Sequence, residues 1–407
     1  MNVGKINNFL ISHHQKTPVM FYDETLAEKP LDLIRNYLNN ENIYFAVKSC
    51  YNINLLRFYA SQHLGAEVMS EFEFDLAVAC KFKNVILNGL GRSEQCMFKA
   101  LRRKNTIIIV DSIRDLQIIK QYLKVHRSKK CKLGIRLRFD LNQTSLSANH
   151  YSDPLNKLGN YADSEVYKEF LEYVKCEKRV KWDIIHTHFT INELSSQPYI
   201  EVMNFLHKHL LSIKQKYNLI PLRIDLGGGL EVYSKEYEKK IEKLFKAVSN
   251  RFSILFPRQT LIMEPGRFFS ACAGYVVGKV VDIKQVKTKK WLITDIGTNV
   301  LIPNNNARYN LLYPQQDKKG VHIGITDGIT SGVNNIVENV YISSSVQIGD
   351  TVIIGNVGAY TDVYSTFWGY EPFAVGYVYK SGKIKMVRKL QDIVFLKNIF
   401  FPHLFNE

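Results

Sequence analysis

The chain has 407 residues, enough for one large domain and a smaller one. Hydrophobic residues make up 46% of it, which excludes an intrinsically disordered protein. Lysine and arginine outnumber the acids by 54 to 38, so the formal net charge is +16. The basic clusters at 124–132 and 284–290 lack nucleic-acid-binding motifs, so we favour a solvated basic surface over nucleic-acid binding. An anionic substrate or an acidic carrier protein stays open.

The cysteine pattern and the first residues of the chain indicate in which cellular compartment the protein is expected. The six cysteines are scattered without any CxxC spacing, so we predict neither a metal site nor a disulfide framework. The first residues contain no signal-peptide apolar region, and no run of about 18 apolar residues exists that could cross a membrane. We therefore expect a cytoplasmic protein with no membrane association.

An alternation of short apolar runs and amphipathic segments fills the first two thirds of the chain. A strand-like piece at 18–22 and a helical pattern at 31–38 come first. Helical patterns then separate most of eight apolar runs, which is the signature of βαβ units. The pattern predicts an α/β fold, a TIM-like (β/α)8 barrel over residues 25–267. The runs are 44–47, 66–70, 85–88, 106–110, 133–138, 183–188, 222–226 and 261–264.

The pattern changes after Arg267. Strand-like runs at 275–281, 291–294, 352–354 and 373–378 dominate, with turn residues between them. We predict a mostly antiparallel β domain, a sandwich or barrel, over residues 268–407. We expect residues 1–24 to join it.

Lys48 ends the first predicted barrel strand, Tyr44–Val47. A lysine at the end of a buried strand is costly unless it is neutral, paired or covalently used. One interpretation is a side chain that simply reaches solvent. The other is a Schiff-base lysine that holds an aldehyde cofactor such as pyridoxal 5'-phosphate (PLP).

Three further groups follow predicted strands and should meet Lys48 at the same rim, because active sites of such barrels lie at the carboxyl ends of the strands. They are His188 after strand six, Gly227–Gly229 after strand seven and Glu264–Arg267 after strand eight. This convergence is the strongest argument for an active site that the chain offers by itself.

Each of these groups also has a plainer interpretation. Three glycines can be a flexible turn, or a turn whose N–H groups face a phosphate. His188 can be a core histidine, or its ring can stack on a cofactor ring. Glu264 can pair with Arg267, or it can hydrogen-bond a pyridine nitrogen and keep it protonated, which makes the ring a strong electron sink. Arg267 would then face a phosphate or a carboxylate.

At this point the chain resembles the fold-type III PLP-dependent decarboxylases, the ornithine/diaminopimelate/arginine decarboxylase group. No single motif is decisive, but their order and spacing along most of the chain are specific. The matching segments are 45–48 (FAVK), 65–70 (GAEVMS), 110–112 (VDS), 186–188 (HTH), 225–229 (DLGGG), 264–267 (EPGR), 349–350 (GD), 358–360 (GAY) and 365–367 (STF).

The resemblance implies an alanine racemase-like barrel and PLP as cofactor. It implies a homodimer whose active sites are shared between subunits. It also implies a role for each matching position: Lys48 forms the internal aldimine, His188 stacks on the ring and Glu264 binds the ring nitrogen. The phosphate-binding positions would be Gly228, Gly229, Arg267 and Tyr360.

The sequence departs from the family where a catalytic cysteine and a substrate-recognising acid are expected. Ser331 stands at the position of the cysteine that returns a proton to the product carbanion, and a hydroxyl is far less acidic than a thiol. Gly332 stands in place of the carboxylate that recognises a distal amine, and Asn335 replaces another acid. Loss of these charges removes the reason for free lysine or ornithine to bind. The implied substrate-binding residues are Arg267, Gly332 and Tyr360.

The hypothesis is PLP-dependent decarboxylation, through a Lys48 aldimine, of an amino acid or amino-acid conjugate with a neutral or acidic distal group. The substrate could be anionic or carrier-linked, in a siderophore, antibiotic or peptide-nucleotide pathway. Two alternatives remain. One is an amino-acid racemase on the same fold, which Glu264 disfavours. The other is a non-catalytic regulatory homologue, which the altered Ser331 loop favours and the retained Lys48 and His188 oppose.

Overall fold

The computed structural model describes residues 3–139, 156–297, 299–301, 307–327, 335–364, 373–389, 395 and 398–399. The chain folds into two compact units. The first comprises Pro30–Lys48 and Leu56–Phe268, and the second comprises Met1–Lys29, Ser49–Leu55 and Phe269–Glu407. The domain boundaries predicted from the sequence, 25–267 for the barrel and 1–24 with 268–407 for the β domain, stay a prediction. Among the described helices, none combines the length and the apolar character needed to cross a bilayer.

The first unit is an eight-stranded parallel sheet whose strands alternate with helices. Helix α1 (Val3–Ser12), strand β1 (Val19–Asp23) and helix α2 (Glu24–Ile34) come before it in the chain. Its elements are β2 (Tyr44–Ala46), α3 (Ile53–Ser61), β3 (Gly65–Val68), α4 (Glu71–Ala79), β4 (Val85–Leu87), α5 (Glu94–Arg102), β5 (Thr106–Val110), α6 (Ile113–Val125), β6 (Cys131–Arg136), α7 (Glu165–Cys176), β7 (Val180–His186), α8 (Gln197–Tyr217), β8 (Arg223–Asp225), α9 (Glu238–Leu255) and β9 (Thr260–Ile262).

The eight strands close into a barrel. They pair in chain order from β2 to β9, each parallel to the next. A parallel bridge between Ile43 and Met263 joins the last strand to the first, and the Tyr44 N–H donates to the Met263 carbonyl at 2.9 Å. Closure removes both sheet edges, so every strand has two neighbours. The predicted (β/α)8 barrel is confirmed, and all eight predicted runs contain a strand.

Branched aliphatic side chains fill the barrel, which explains why its strands read as unbroken apolar runs. One polar arrangement lies among them: Arg223 donates from Nη1 to the Tyr44 hydroxyl at 3.1 Å and from Nε to Asp183 at 2.6 Å. The arginine therefore satisfies two buried oxygens that would otherwise be unpaired. The buried cluster is Tyr44, Ile86, Ile107, Ile109, Ile184 and Ile262.

The second unit is a nine-stranded sheet that includes β1. Its core packs α1 against the sheet through Ile6 and Leu10, which contact Phe21 and Tyr275 among other residues. Its remaining elements are α10 (Arg267–Ala273), β10 (Gly274–Val286), β11 (Lys289–Thr294), β12 (Asn310–Tyr313), β13 (Gln316–Asp327), β14 (Asn335–Ile342), β15 (Thr351–Gly355), β16 (Ala374–Val378) and β17 (Ile384–Arg388).

This sheet is mostly antiparallel, as predicted, and it also contains two parallel strand pairs. β1 runs parallel to β16, and β11 runs parallel to β13, while the other six strand pairs are antiparallel. Short hairpin turns force antiparallel pairing, but these two pairs are joined by long connections that leave the direction free. Near the start of the chain, the helix predicted at 31–38 instead spans Glu24–Ile34 and includes Pro30.

Side-chain caps fix where two barrel helices begin. Ser70 accepts from the Glu73 N–H before α4, and Ser112 accepts from the Asp115 N–H before α6, both at 3.2 Å. Asp115 completes a capping box and also pairs with Arg92 at 2.6 Å, where both side chains are at most 5% exposed. Capping therefore explains why serine ends the segments 65–70 and 110–112.

Replacing Asp115 with alanine should lower the free energy of unfolding by about 3–5 kcal/mol, because it removes a cap and leaves the Arg92 charge buried without its partner. Urea unfolding of the apoprotein measures this. The matched control is Asp75→Ala, which breaks an exposed ion pair with Lys99 and should cost less than about 1 kcal/mol. Equal losses in the two variants would contradict the role given to Asp115.

Candidate active site

Lys48 lies in a 3-10 turn, Val47–Ser49, directly after β2 at the carboxyl end of the barrel. Its Nζ lies 2.5 Å from a carboxylate oxygen of Glu67, and the two side chains are 35% and 1% exposed. Pairing of β2 with β3 sets Glu67 beside Ala46, which explains the approach. The Lys48 side chain is therefore half-exposed at the rim and forms an ion pair with the buried Glu67 carboxylate, so it does not simply extend into solvent.

Three buried groups, His186, Asp225 and Glu264, form a cluster at the same rim. His186 Nδ1 lies 3.2 Å from Asp225 Oδ2 and 3.6 Å from Glu264 Oε2. On the other side of the ring, the Asn88 amide nitrogen lies 3.3 Å from His186 Nε2. The three donor atoms lie within 4.8 Å of one another, a spacing that a cation could also bridge.

Burial controls the protonation of this cluster. It raises the pKa of Asp225 to about 6 and raises the pKa of Glu264 well above its ordinary value, with the Asp225 charge adding to the shift of Glu264. It also lowers the pKa of His186 to about 4, although the Glu264 charge opposes that change. Near neutral pH the imidazole is therefore neutral, and burial together with the Asp225 charge favours the uncharged form of the Glu264 carboxyl.

The triglycine turn, Gly227–Gly229, follows β8. Gly227 and Gly229 have φ values of +69° and +77°, in the left-handed region that other residues rarely adopt. A Cβ on Gly228 would overlap the Glu264 carbonyl oxygen, and a Cβ on Gly229 would overlap that of Thr190. Glycine is thus required by close backbone approach, which excludes the flexible-turn interpretation.

His188 is half-buried against this turn. Its Nδ1 accepts a hydrogen bond from the Gly228 N–H at 3.3 Å, so the ring proton resides on Nε2. Burial and the positive charge of Arg136 hold the pKa of His188 well below its usual value, so the ring is neutral. The Gly228 N–H predicted to face a phosphate is therefore engaged by His188 in the structure described here.

The remaining predicted site residues are divided between the two units. Arg267 begins α10 and belongs with the barrel unit. Tyr360 belongs to the β unit, where its N–H donates to the Ser49 carbonyl at 2.8 Å and its φ is +61°. A tyrosine in the left-handed region is strained, and such residues concentrate at functional sites. Ser331 and Gly332 lie outside the described residues.

Sequence reasoning missed three members of the rim. Glu67 and Asp225 lie within the motifs at 65–70 and 225–229, which assign them no role, and Arg136 lies in a predicted strand without a motif. A signal existed for the first two, since an acid inside or at the end of a buried strand needs a partner. Nothing in the sequence shows that Arg136 would influence His188.

Comparison with known proteins places the chain in a family. Residues 26–271 match the family model described as pyridoxal-dependent decarboxylase, pyridoxal binding domain. Diaminopimelate decarboxylase from Aquifex aeolicus is 24% identical over 92% of this chain and 90% of its own length. L-glutamyl-[BtrI acyl-carrier protein] decarboxylase from Niallia circulans is 24% identical over 96% of this chain and 95% of its own.

A solved structure shows the same fold. Diaminopimelate decarboxylase from M. jannaschii superposes with a TM-score of 0.82 at 21% identity, over 97% of this chain and 94% of the other. The rim described above holds a lysine after β2, a neutral histidine after β7 and a buried glutamic acid after β9. The chain therefore belongs to the fold-type III pyridoxal-dependent decarboxylases, and it is an amino-acid decarboxylase that uses PLP.

Proposed function

We propose that this decarboxylase acts on an amino acid or amino-acid conjugate whose distal group is neutral or acidic, with the cofactor attached covalently at Lys48. One observation carries the proposal that the rim is the cofactor site. Glu264 Oε1 is buried and has no hydrogen-bond partner among the described residues. A buried polar atom without a partner is costly, so it indicates a group that the chain itself does not supply.

The residues present fit PLP. The Glu264 carboxyl, whose Oε1 has no partner among the described residues and whose pKa is raised, suits the pyridine nitrogen, to which it can donate a proton. The Lys48 amine suits the aldehyde, and the three glycines bring no side chains of their own to the turn where a phosphate would lie. When bound, PLP supplies the electron sink that accepts the electron pair left behind as CO2 departs.

The side chains of the rim have distinct tasks in this proposal. Glu67 keeps the Lys48 amine oriented at the rim through the ion pair already present. The neutral ring of His188 offers a flat face to the cofactor ring, while Gly228, Gly229, Arg267 and Tyr360 bind the phosphate. Binding then requires the Gly228 N–H to leave His188 Nδ1, a long hydrogen bond at 3.3 Å that is readily exchanged.

The substrate class is inferred from lost charges. The positions of Gly332 and Asn335 lack the acids that would recognise a distal ammonium group, so a diamine precursor has no counter-charge there. The relative from Niallia circulans is named for a glutamyl group carried on an acyl-carrier protein, which is an acidic, carrier-linked substrate. We propose the same substrate class here, with Arg267, Gly332 and Tyr360 as substrate-binding residues and Ser331 as a catalytic residue.

Assembly and pathway extend the same proposal. We propose a homodimer with shared active sites, and a place in biosynthesis of a siderophore, an antibiotic or a peptide-nucleotide. The raised pKa of Glu264 opposes the racemase alternative, because racemases of this fold keep the pyridine nitrogen unprotonated. The regulatory alternative has lost its support, since the relatives named above are enzymes.

The test is CO2 release by the PLP-loaded protein from lysine, ornithine and diaminopimelate, and from glutamate and an acyl-linked glutamyl conjugate. We expect kcat/KM for the glutamyl conjugate to exceed that for lysine by at least about tenfold, the effect of one well-placed charge. Racemisation is measured in parallel, and EDTA should leave the rate unchanged. Preference for a diamine precursor would contradict the proposed substrate class, and racemisation without CO2 would contradict decarboxylation.

A further inference from the structure

A basic pocket opens at the amino ends of β5, β6 and β7, at the opposite end of the barrel from Lys48. Its volume is about 470 Å3, within the range of small-molecule sites. The six residues of β6 separate the two ends by about 20 Å, since a strand rises about 3.3 Å per residue. The lining consists of Ala100, Leu101, Arg103, Lys104, Thr106, Ile108, Lys130, Cys131, Lys132, Lys178, Arg179, Val180 and Lys181.

Seven of these lining residues are cationic and none is acidic. The two arginines are engaged by the fold. Arg103 donates to the carbonyls of Phe82 and Lys83, at 2.5 and 2.9 Å. Arg179 pairs with Glu177 through both ends of its guanidinium and donates to the Leu123 carbonyl at 2.7 Å. The arginines therefore shape the pocket, while the lysines remain available to a ligand.

The five lysines have no ion pair with any acid among the described residues. Two of them, Lys132 on β6 and Lys181 on β7, are partners in the strand register. Like charges on adjacent strands repel each other and destabilise the sheet. The arrangement therefore concentrates positive charge at one place, on the half-buried Lys132 and the exposed Lys181.

Helix ends do not account for this charge. The C-termini of α5, α6 and α7 lie at this end of the barrel, and each carries about half a negative charge. Together with Glu177 they supply roughly −2.5 against seven cations. Most of the positive charge is therefore left for a bound anion or for solvent counterions.

We infer that this pocket binds a small polyphosphate at a site distinct from the catalytic rim. Lysine ammonium groups act as point charges for phosphate, and several phosphates are needed to meet several lysines. The buried side chains of Leu101 and Val180 form an apolar floor, so part of the ligand can be organic. A carrier protein that delivers substrate would have to reach the other end of the barrel, so the size and place of the pocket favour a small ligand.

The experiment titrates inorganic tripolyphosphate into the PLP-loaded protein by calorimetry, so that the cofactor already fills its own phosphate site. The test variant is Lys132→Gln with Lys181→Gln, because these residues lie at the amino ends of β6 and β7. The control is Lys168→Gln with Lys246→Gln, two exposed helix lysines whose loss changes the net charge equally. We expect the dissociation constant to rise about tenfold or more in the test variant and less than about twofold in the control.

A second readout locates the site. Bound tripolyphosphate should protect Lys132 and Lys181 from acetylation, as read by mass spectrometry, and leave Lys168 and Lys246 reactive. Equal weakening in both double variants would mean general electrostatic attraction and would overturn the inference. Absence of binding by the parent protein at millimolar tripolyphosphate, or protection spread evenly over all lysines, would overturn it as well.

Discussion

The Lys48→Ala variant should lose decarboxylase activity by about 10³-fold or more and should fail to retain PLP after gel filtration. The Lys48 amine is the group that would bond to the aldehyde, and its ion pair with Glu67 holds it at the rim. The measurement is CO2 release together with the visible absorbance of the purified protein.

The Lys48→Ala variant also leaves Glu67 buried without its cation. A second variant therefore distinguishes a loss of stability from the loss of the reactive amine. Lys48→Arg keeps a positive charge beside Glu67, but a guanidinium does not condense with the aldehyde. We expect it to fold like the parent and to be as inactive as Lys48→Ala. Lys246→Ala, on the surface of α9, serves as the control and should keep full activity. Activity retained by Lys48→Arg would refute a covalent role for the lysine.

The Glu264→Gln variant should lower kcat by about 100-fold or more while PLP stays bound. An amide fills the same space, but it cannot transfer a proton to the pyridine nitrogen, so the ring becomes a poor electron sink. Glu264 is suited to this transfer because burial and Asp225 raise its pKa well above the ordinary value. The measurement determines kcat and KM separately for the variant and the parent protein, with the best substrate from the CO2-release panel described above.

The matched control for Glu264→Gln is Glu73→Gln, because Glu73 is equally buried in the same barrel. Its carboxylate accepts from the Met69 N–H at 2.9 Å, a contact that an amide oxygen also makes. We expect kcat to stay within about twofold. A Glu264→Gln variant that behaves like this control would mean that Glu264 only fills space.

Much of the barrel could be predicted from the sequence because its strands are buried on both faces. Runs such as Thr106–Val110 are apolar throughout, and helical patterns between them leave few topologies. The β unit was harder. Residues 1–24 were expected to join it, but nothing local in the sequence of β1 shows that it lies between β10 and β16, antiparallel to one and parallel to the other.

The site was predictable where a residue type carries chemistry at a strand end, as with Lys48, His188 and Glu264. It was not predictable where the effect depends on three-dimensional approach. The raised pKa values of Asp225 and Glu264 arise because β8 and β9 are neighbours and both groups are buried. The basic pocket likewise depends on register, because Lys132 and Lys181 are distant in sequence and adjacent in the sheet.

Borohydride reduction followed by peptide mass mapping tests the central claim most directly. Reduction converts a protein–PLP bond into a stable label on the residue that formed it. The account predicts bleaching of the visible absorbance and a single pyridoxyl group on the peptide that contains Lys48. A label on another lysine, or a PLP-loaded protein that reduction leaves unlabelled, would contradict it.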